Sequence, residues 1–159
     1  MKSLFSMQAN ALSGDIRMYD QTTFYKAFEK DLLLARDEVI IESPFITIKR
    51  INELLPILTR LRNRGVSVII NTRNPEEHDT EYEHQALDSI ATLQDLDIQM
   101  LYTVKHHRKM AVIDKKLVWN GSLNILSQND SCEIMWRVDS TEAAYRLLGF
   151  VNVKGYNRR

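Results

Sequence analysis

A single cysteine in 159 residues, Cys132, leaves nothing for it to pair with inside the chain. That excludes a small scaffold stapled by disulfides and fits a reducing compartment. Charge of one sign is missing as well: 21 Lys and Arg offset 21 Asp and Glu, for a net charge of zero. The chain is therefore not a bulk polycation, and any nucleic-acid binding must come from a local basic cluster. No apolar run approaches the ~20 residues needed to cross a bilayer. The opening Met1 to Gln8 has too short an apolar stretch for a secretory leader. The cytoplasm is the expected compartment, with no membrane as partner. The length suits one domain with a substantial core, and a place at the end of a longer polypeptide stays open.

What is present reads as alternating strands and helices. Residues 1–20, with Ser13-Gly14-Asp15, are expected to be an N-terminal arm holding one short strand. A single domain is expected over 21–155 and a basic tail over 156–159. Phe24, Phe28, Leu32 and Leu33 recur at helical spacing over 22–35, with Thr22 or Thr23 as cap. Val39 to Ser43 is a short strand stopped by Pro44. A second helix is expected over 52–64, with Pro56 near its first turn and Gly65 closing it. Val66 to Asn71 is nearly all apolar, as a strand covered on both faces should be. Helix 83–95, strands 98–102, 110–113, 117–119 and 134–138, and a closing helix 141–150 complete the order. This order predicts an α/β protein, an α-β-α sandwich around a mixed sheet.

Residues 107–124 carry the chemistry. His107 and Lys109 are two apart and share one face of an extended segment. Asp114 follows a short apolar run, and Gly121-Ser122-Leu123-Asn124 follows a second. Six fixed positions of this kind coincide by chance on the order of once in a million chains. The pattern His-x-Lys, four residues, Asp, six residues, Gly-Ser-x-Asn resembles the signature of the phospholipase D superfamily. Ser43-Pro44-Phe45-Ile46, with the later Gly-Ser-Leu-Asn-Ile-Leu-Ser, also looks like phospholipase D domains at the ends of DNA helicase and repair proteins.

Phosphodiester cleavage by a histidine nucleophile needs a neutral imidazole held in one tautomer, donors for the phosphoryl oxygens, and an acid in line with the leaving group. His107 suits the first role, and Lys109 and Asn124 suit the second. Ser122 offers a hydroxyl to the phosphate or to the imidazole. The resemblance implies that Glu133 orients the histidine and that Asp114 holds the motif loop, a structural role. It also implies a phospholipase D-like fold and a homodimer. Longer relatives carry two motifs per chain, whereas a single motif supplies one imidazole, so two copies of His107 must meet at one shared site. No cofactor or metal is expected, because lysine and amide donors stabilise the developing charge.

Further candidates surround the motif. Arg73 and Ser43 end strands where ligand-facing groups gather in α/β sheets, and Lys105 and Arg108 are placed to widen a basic mouth. His106 should face away from His107. His78, Asp79, Glu81, Glu83 and His84 carry metal-capable groups, but their spacing fits no trusted ligand pair. Trp119 and Trp136 are expected mainly in the core, with a dimer contact or base stacking as the other uses. The expected activity is metal-independent cleavage of DNA or RNA through a phosphohistidine. The alternatives are a nucleic-acid-docking module for a helicase or a larger repair or restriction protein, and a phospholipid phosphodiesterase.

Overall fold

Side chains alternate along the strands so that each apolar run buries both faces, and helices cover the two sides. The structure is a computed structural model and describes residues 14–127 and 130–156. Among these, seven strands form one sheet: β1 (Asp15–Asp20), β2 (Glu38–Glu42), β3 (Ser67–Arg73), β4 (Gln99–Thr103), β5 (Met110–Ile113), β6 (Leu117–Gly121) and β7 (Ile134–Asp139). Their order is β1-β7-β6-β5-β2-β3-β4, with β2, β3 and β4 parallel and the remaining pairs antiparallel. The helices are α1 (Phe24–Leu34), α2 (Ile48–Asn63), α3 (Thr80–Asp95) and α4 (Thr141–Val151).

One face of the sheet, through Val39, Ile41, Val68, Ile70 and Ala111, packs on Phe28 of α1, Leu54 of α2 and Leu93 of α3. The other face, through Ile40, Ile69, Met110 and Val112, packs on Ala144 and Leu148 of α4 and on Tyr156. The mixed sheet and its two helical layers are those anticipated.

Several boundaries differ from expectation, for local reasons. The hydroxyl of Thr47 accepts from the Arg50 amide, so α2 starts four residues early and Pro56 lies inside the helix rather than near its first turn. Pro56 is on the exposed side, where the freed carbonyl one turn earlier meets water. Asp79 caps α3 through the Tyr82 amide and moves its start from 83 to 80. Neither Thr22 nor Thr23 caps α1 by its side chain; Asp20 instead accepts from both backbone amides and both hydroxyls. Residues 15–20, expected within the arm, pair along their whole length with β7, and Tyr156, expected to open the tail, is buried. Residues 1–13 of the expected arm and 157–159 of the expected tail lie outside the described residues.

Asp114 sits in the tight β5–β6 turn with a left-handed backbone, at the end of β5 away from His107. Its carboxylate accepts from the amides of Arg36, Asp37 and Glu38 at 2.8 to 3.0 Å and so ties this turn to the entrance of β2. Charge-assisted bonds to otherwise unpaired amides are the strong kind. Asp114→Ala should lower the unfolding free energy in urea by about 2 kcal/mol. Asp114→Asn, which keeps an acceptor oxygen, should lose less.

Candidate active site

β5 enters the middle of the sheet, between β2 and β6, and the chain leading into it carries the motif. Residues 106–109 belong to no strand; the ladder with β2 starts at Met110. His107 and Lys109 still reach the same side. Lys109 Nζ stands 3.2 Å from His107 Nδ1 and 3.4 Å from Nε2, and donates to the His107 carbonyl at 2.8 Å. An ammonium has only donors, so the ring nitrogen is the acceptor in this contact. Burial holds the Lys109 pKa below its usual range, and the nearby Arg73 charge acts in the same direction.

An open cleft of about 480 Å³ is lined by His107, Lys109, Asn120, Gly121, Ser122 and Leu147, among others. The second half of the motif thus returns to the first through the antiparallel β5–β6 pairing. Gly121 is needed for packing: a Cβ there would meet the Ile134 carbonyl oxygen at 2.1 Å, so β7 lies too close for any side chain. The close approach is to a neighbouring strand. Ser122 Oγ accepts from the Ile134 amide at 3.0 Å while its outer side faces the cleft. Asn124 is half-buried on the following loop, and its Oδ1 lacks a hydrogen-bond partner among the described residues.

The family model described as "Cardiolipin synthase, PLD-like domain" matches residues 29–150. The chain belongs to this phospholipase D-like family. Its fold is similar to that of Nuc from Salmonella typhimurium, a phospholipase D family member, with a TM-score of 0.69 and 16% identity over 88% of this chain and 93% of Nuc. NucT from Helicobacter pylori gives 0.66 and 18% over 88% of this chain and 94% of NucT. The archaeal chromatin protein TrmBL2 gives 0.58 and 11% over 94% of this chain and 54% of its own. At these identities the likeness is one of fold. No curated protein matches the sequence.

Beneath the motif of this phospholipase D-like domain lies a buried ionic cluster not anticipated from the sequence. Glu42, the last residue of β2, is fully buried. Both its oxygens are bridged by the guanidinium of Arg108, through Nε and, at 3.0 Å, through Nη2. Tyr156 Oη donates to it at 2.7 Å and Asn71 Nδ2 at 3.1 Å. His106 Nε2 approaches to 3.5 Å, at the outer limit of a hydrogen bond, and neither nitrogen of this buried ring makes one of good geometry. Burial alone would raise the Glu42 carboxyl. The close approach of His106, hydrogen bonds from Arg108 and Tyr156, and the Arg108 charge overcome it and hold the pKa at about 2. Arg108 thereby anchors the segment to β2 while it lines the cleft together with His107 and Lys109. His106 does face away from His107, and Arg108, expected to widen a basic mouth, bridges Glu42 while it stays 40% exposed in the cleft lining.

The remaining candidates fall into two groups. Arg73 adjoins the motif: its Nε donates to the His106 carbonyl at 3.2 Å and its charge is felt at Lys109. Lys105 is exposed next to the motif, with its amide bound to Glu77. Ser43 offers no surface to a ligand, a correction to the sequence reading. It is fully buried, its hydroxyl donates to the Phe45 carbonyl at 2.9 Å, and it accepts from the Leu126 amide at 3.1 Å. It pins the 122–127 loop to the end of β2. Buried Arg50 assists through the Ile125 carbonyl at 3.2 Å, an anchor that an isolated helix pattern does not reveal. Glu133 makes no hydrogen bond to His107 among the described residues; its carboxylate accepts from Ser131 at 2.6 Å. Hydrogen bonding from Ser122 and Ser131 keeps its pKa low despite a small opposing effect of burial, and the Lys109 charge adds to the lowering. Trp119 is buried with its Nε1 on Asp31, and Trp136 is exposed.

The Glu42 cluster has a pH consequence. A folded pKa of about 2 lies below the ordinary 4.5, so its stabilisation is complete above pH 4.5 and is lost as the pH falls towards 2. Urea unfolding at stepped pH should show a loss of about 3 kcal/mol across that window. The neutral variant Glu42→Gln should lack that part of the slope.

Proposed function

We propose that this protein is a metal-independent phosphodiesterase that cleaves DNA or RNA through a covalent phosphohistidine, at a site shared by two subunits. The observation that carries this reading is the imidazole of His107 held beside the Lys109 ammonium at the mouth of an open cleft. His107 attacks phosphorus, and Lys109 neutralises charge on the phosphoryl oxygens with the amide of Asn124 as a further donor. The bond from phosphorus to the leaving oxygen breaks as that oxygen takes a proton from His107 of the partner subunit. The partner subunit's His107 then removes a proton from water, the hydroxide attacks phosphorus, and the first imidazole is released. Glu133 acts through Ser122 and Lys109 in this arrangement, with Arg73 and Lys105 supplying positive charge near the substrate.

Support for the second subunit comes from the face of the sheet that carries α4. Met18 and Trp136 are paired across β1 and β7, Ile16 flanks them, and these side chains are exposed by 65%, 46% and 50%. Trp136 pairs in turn with Asn120 of the cleft lining. An uncovered apolar row that runs into a reaction cleft fits an isologous contact between two copies. The fold likeness to Nuc and NucT, and to TrmBL2, a chromatin protein with a novel mode of DNA binding, leans towards nucleic acid. The family description names cardiolipin synthase, which makes phospholipid phosphodiester chemistry the second reading.

His107→Ala should reduce plasmid nicking by about a thousandfold or more while keeping DNA binding; Lys109→Ala should weaken both. Wild-type activity should persist in excess chelator, and acid-labile label from the substrate should map to His107. Dimers holding one His107→Ala subunit should be inactive; full activity in them would overturn the shared site. Binding without nicking would leave a docking module, and choline release from vesicles without nicking would favour the lipid reading.

A further inference from the structure

Three rings meet at the carboxyl ends of the parallel strands β2 and β3. Phe45 follows β2, His78 follows the short 3-10 turn Pro75–Glu77, and Tyr82 lies in the first turn of α3. Ring centroids are 5.3 Å apart for Phe45 and His78, 6.1 Å for Phe45 and Tyr82, and 6.2 Å for His78 and Tyr82. The guanidinium of Arg73 stands 5.7 Å from the centre of the Phe45 ring. The same Arg73 binds the carbonyl of His106, the residue before the nucleophile. The ring cluster is thus connected to the backbone that carries His107.

These rings are not spent on the core. Phe45 and His78 are half-buried, and Tyr82 is 46% exposed. Among the described residues, neither the Tyr82 hydroxyl nor a His78 ring nitrogen makes a hydrogen bond, so no polar contact explains their grouping. Burial keeps the His78 pKa below its ordinary value and the Arg73 charge lowers it further, which leaves an uncharged ring at neutral pH. The turn that carries His78 is held by Glu77, whose carboxylate accepts from the Lys105 amide at 2.9 Å. A cation and exposed rings side by side are what a single-stranded polynucleotide uses, phosphate on the one and base on the other.

We propose that Phe45, His78 and Tyr82, with Arg73 against them, form a stacking platform for an unpaired nucleobase next to the scissile phosphate. Single-stranded nucleic acid is then the preferred substrate. This deepens the nuclease reading and rests on it for the position of the scissile bond. Stacking needs only a π-face, so the platform selects strandedness rather than sequence.

The test measures binding of the full chain to labelled oligo-dT by fluorescence anisotropy, with 2-aminopurine placed at successive positions. Tyr82→Ala should weaken oligo-dT binding about tenfold, whereas Tyr82→Phe should bind like wild type. An abasic oligomer of the same length should bind all three equally. Quenching of 2-aminopurine at one position should be relieved in Tyr82→Ala. Unchanged oligo-dT affinity in Tyr82→Ala, or an equal loss for the abasic oligomer, would overturn the platform. Cleavage by wild type with unchanged Tyr82→Ala affinity would sink the platform and leave the nuclease reading. Stacking without any cleavage would do the reverse.

Discussion

The carboxylate of Glu42 cannot stay ionised in the protein interior unless donors surround it, and meeting that demand organises the site. Arg108 supplies a bidentate pair from the motif segment, Tyr156 a hydroxyl from the chain's far end, and Asn71 an amide from the neighbouring strand. Three distant parts of the sequence are thereby drawn to one point below the cleft. Arg108 ties the motif segment to β2, and His107 and Lys109 meet on either side of it. Removing one partner would leave an uncompensated buried charge, so the cluster resists piecemeal change.

A second set of restraints acts from the other side of the cleft. The 122–127 loop is held by Ser43, by the carbonyl of Leu126 on the Thr47 amide at 2.9 Å, and by Arg50. Gly121 lets β7 close against β6. The two halves of the motif are thus fixed independently and brought together by β5–β6 pairing, a rigid frame of the kind a reacting group requires. Positive backbone angles flank β5 at both ends, at Lys105 two residues before His107 and in the Asp114-Lys115 turn.

The same geometry separates two kinds of polar residue that look alike in one dimension. Ser43 and Ser122 both follow strand residues, yet one is consumed by packing and the other borders open space. Asp114 and Glu133 are both acidic and near the motif. Asp114 spends its oxygens on three backbone amides, while Glu133 stays among serines within reach of the Lys109 charge. Nothing in residue type distinguishes these cases; the number of donors already engaged does.

Periodicity and motif spacing were enough to specify an α/β sandwich with a mixed sheet, the order of its elements and the cluster His107, Lys109 and Ser122. Those features are local: each depends on side chains a few residues apart whose direction follows from the backbone repeat. Arg73, a candidate for its place at a strand end, binds the motif backbone at the His106 carbonyl. Spacing could not find Glu42, Arg50 or Tyr156, nor the meeting of Phe45, His78 and Tyr82, because their partners lie tens of residues away. Helix starts at Thr47 and Asp79 were missed for a related reason, since one capping side chain outweighs the apolar repeat there. Which charges are buried and compensated, and which face outward for chemistry, is decided only once the sheet brings remote strands within hydrogen-bonding distance.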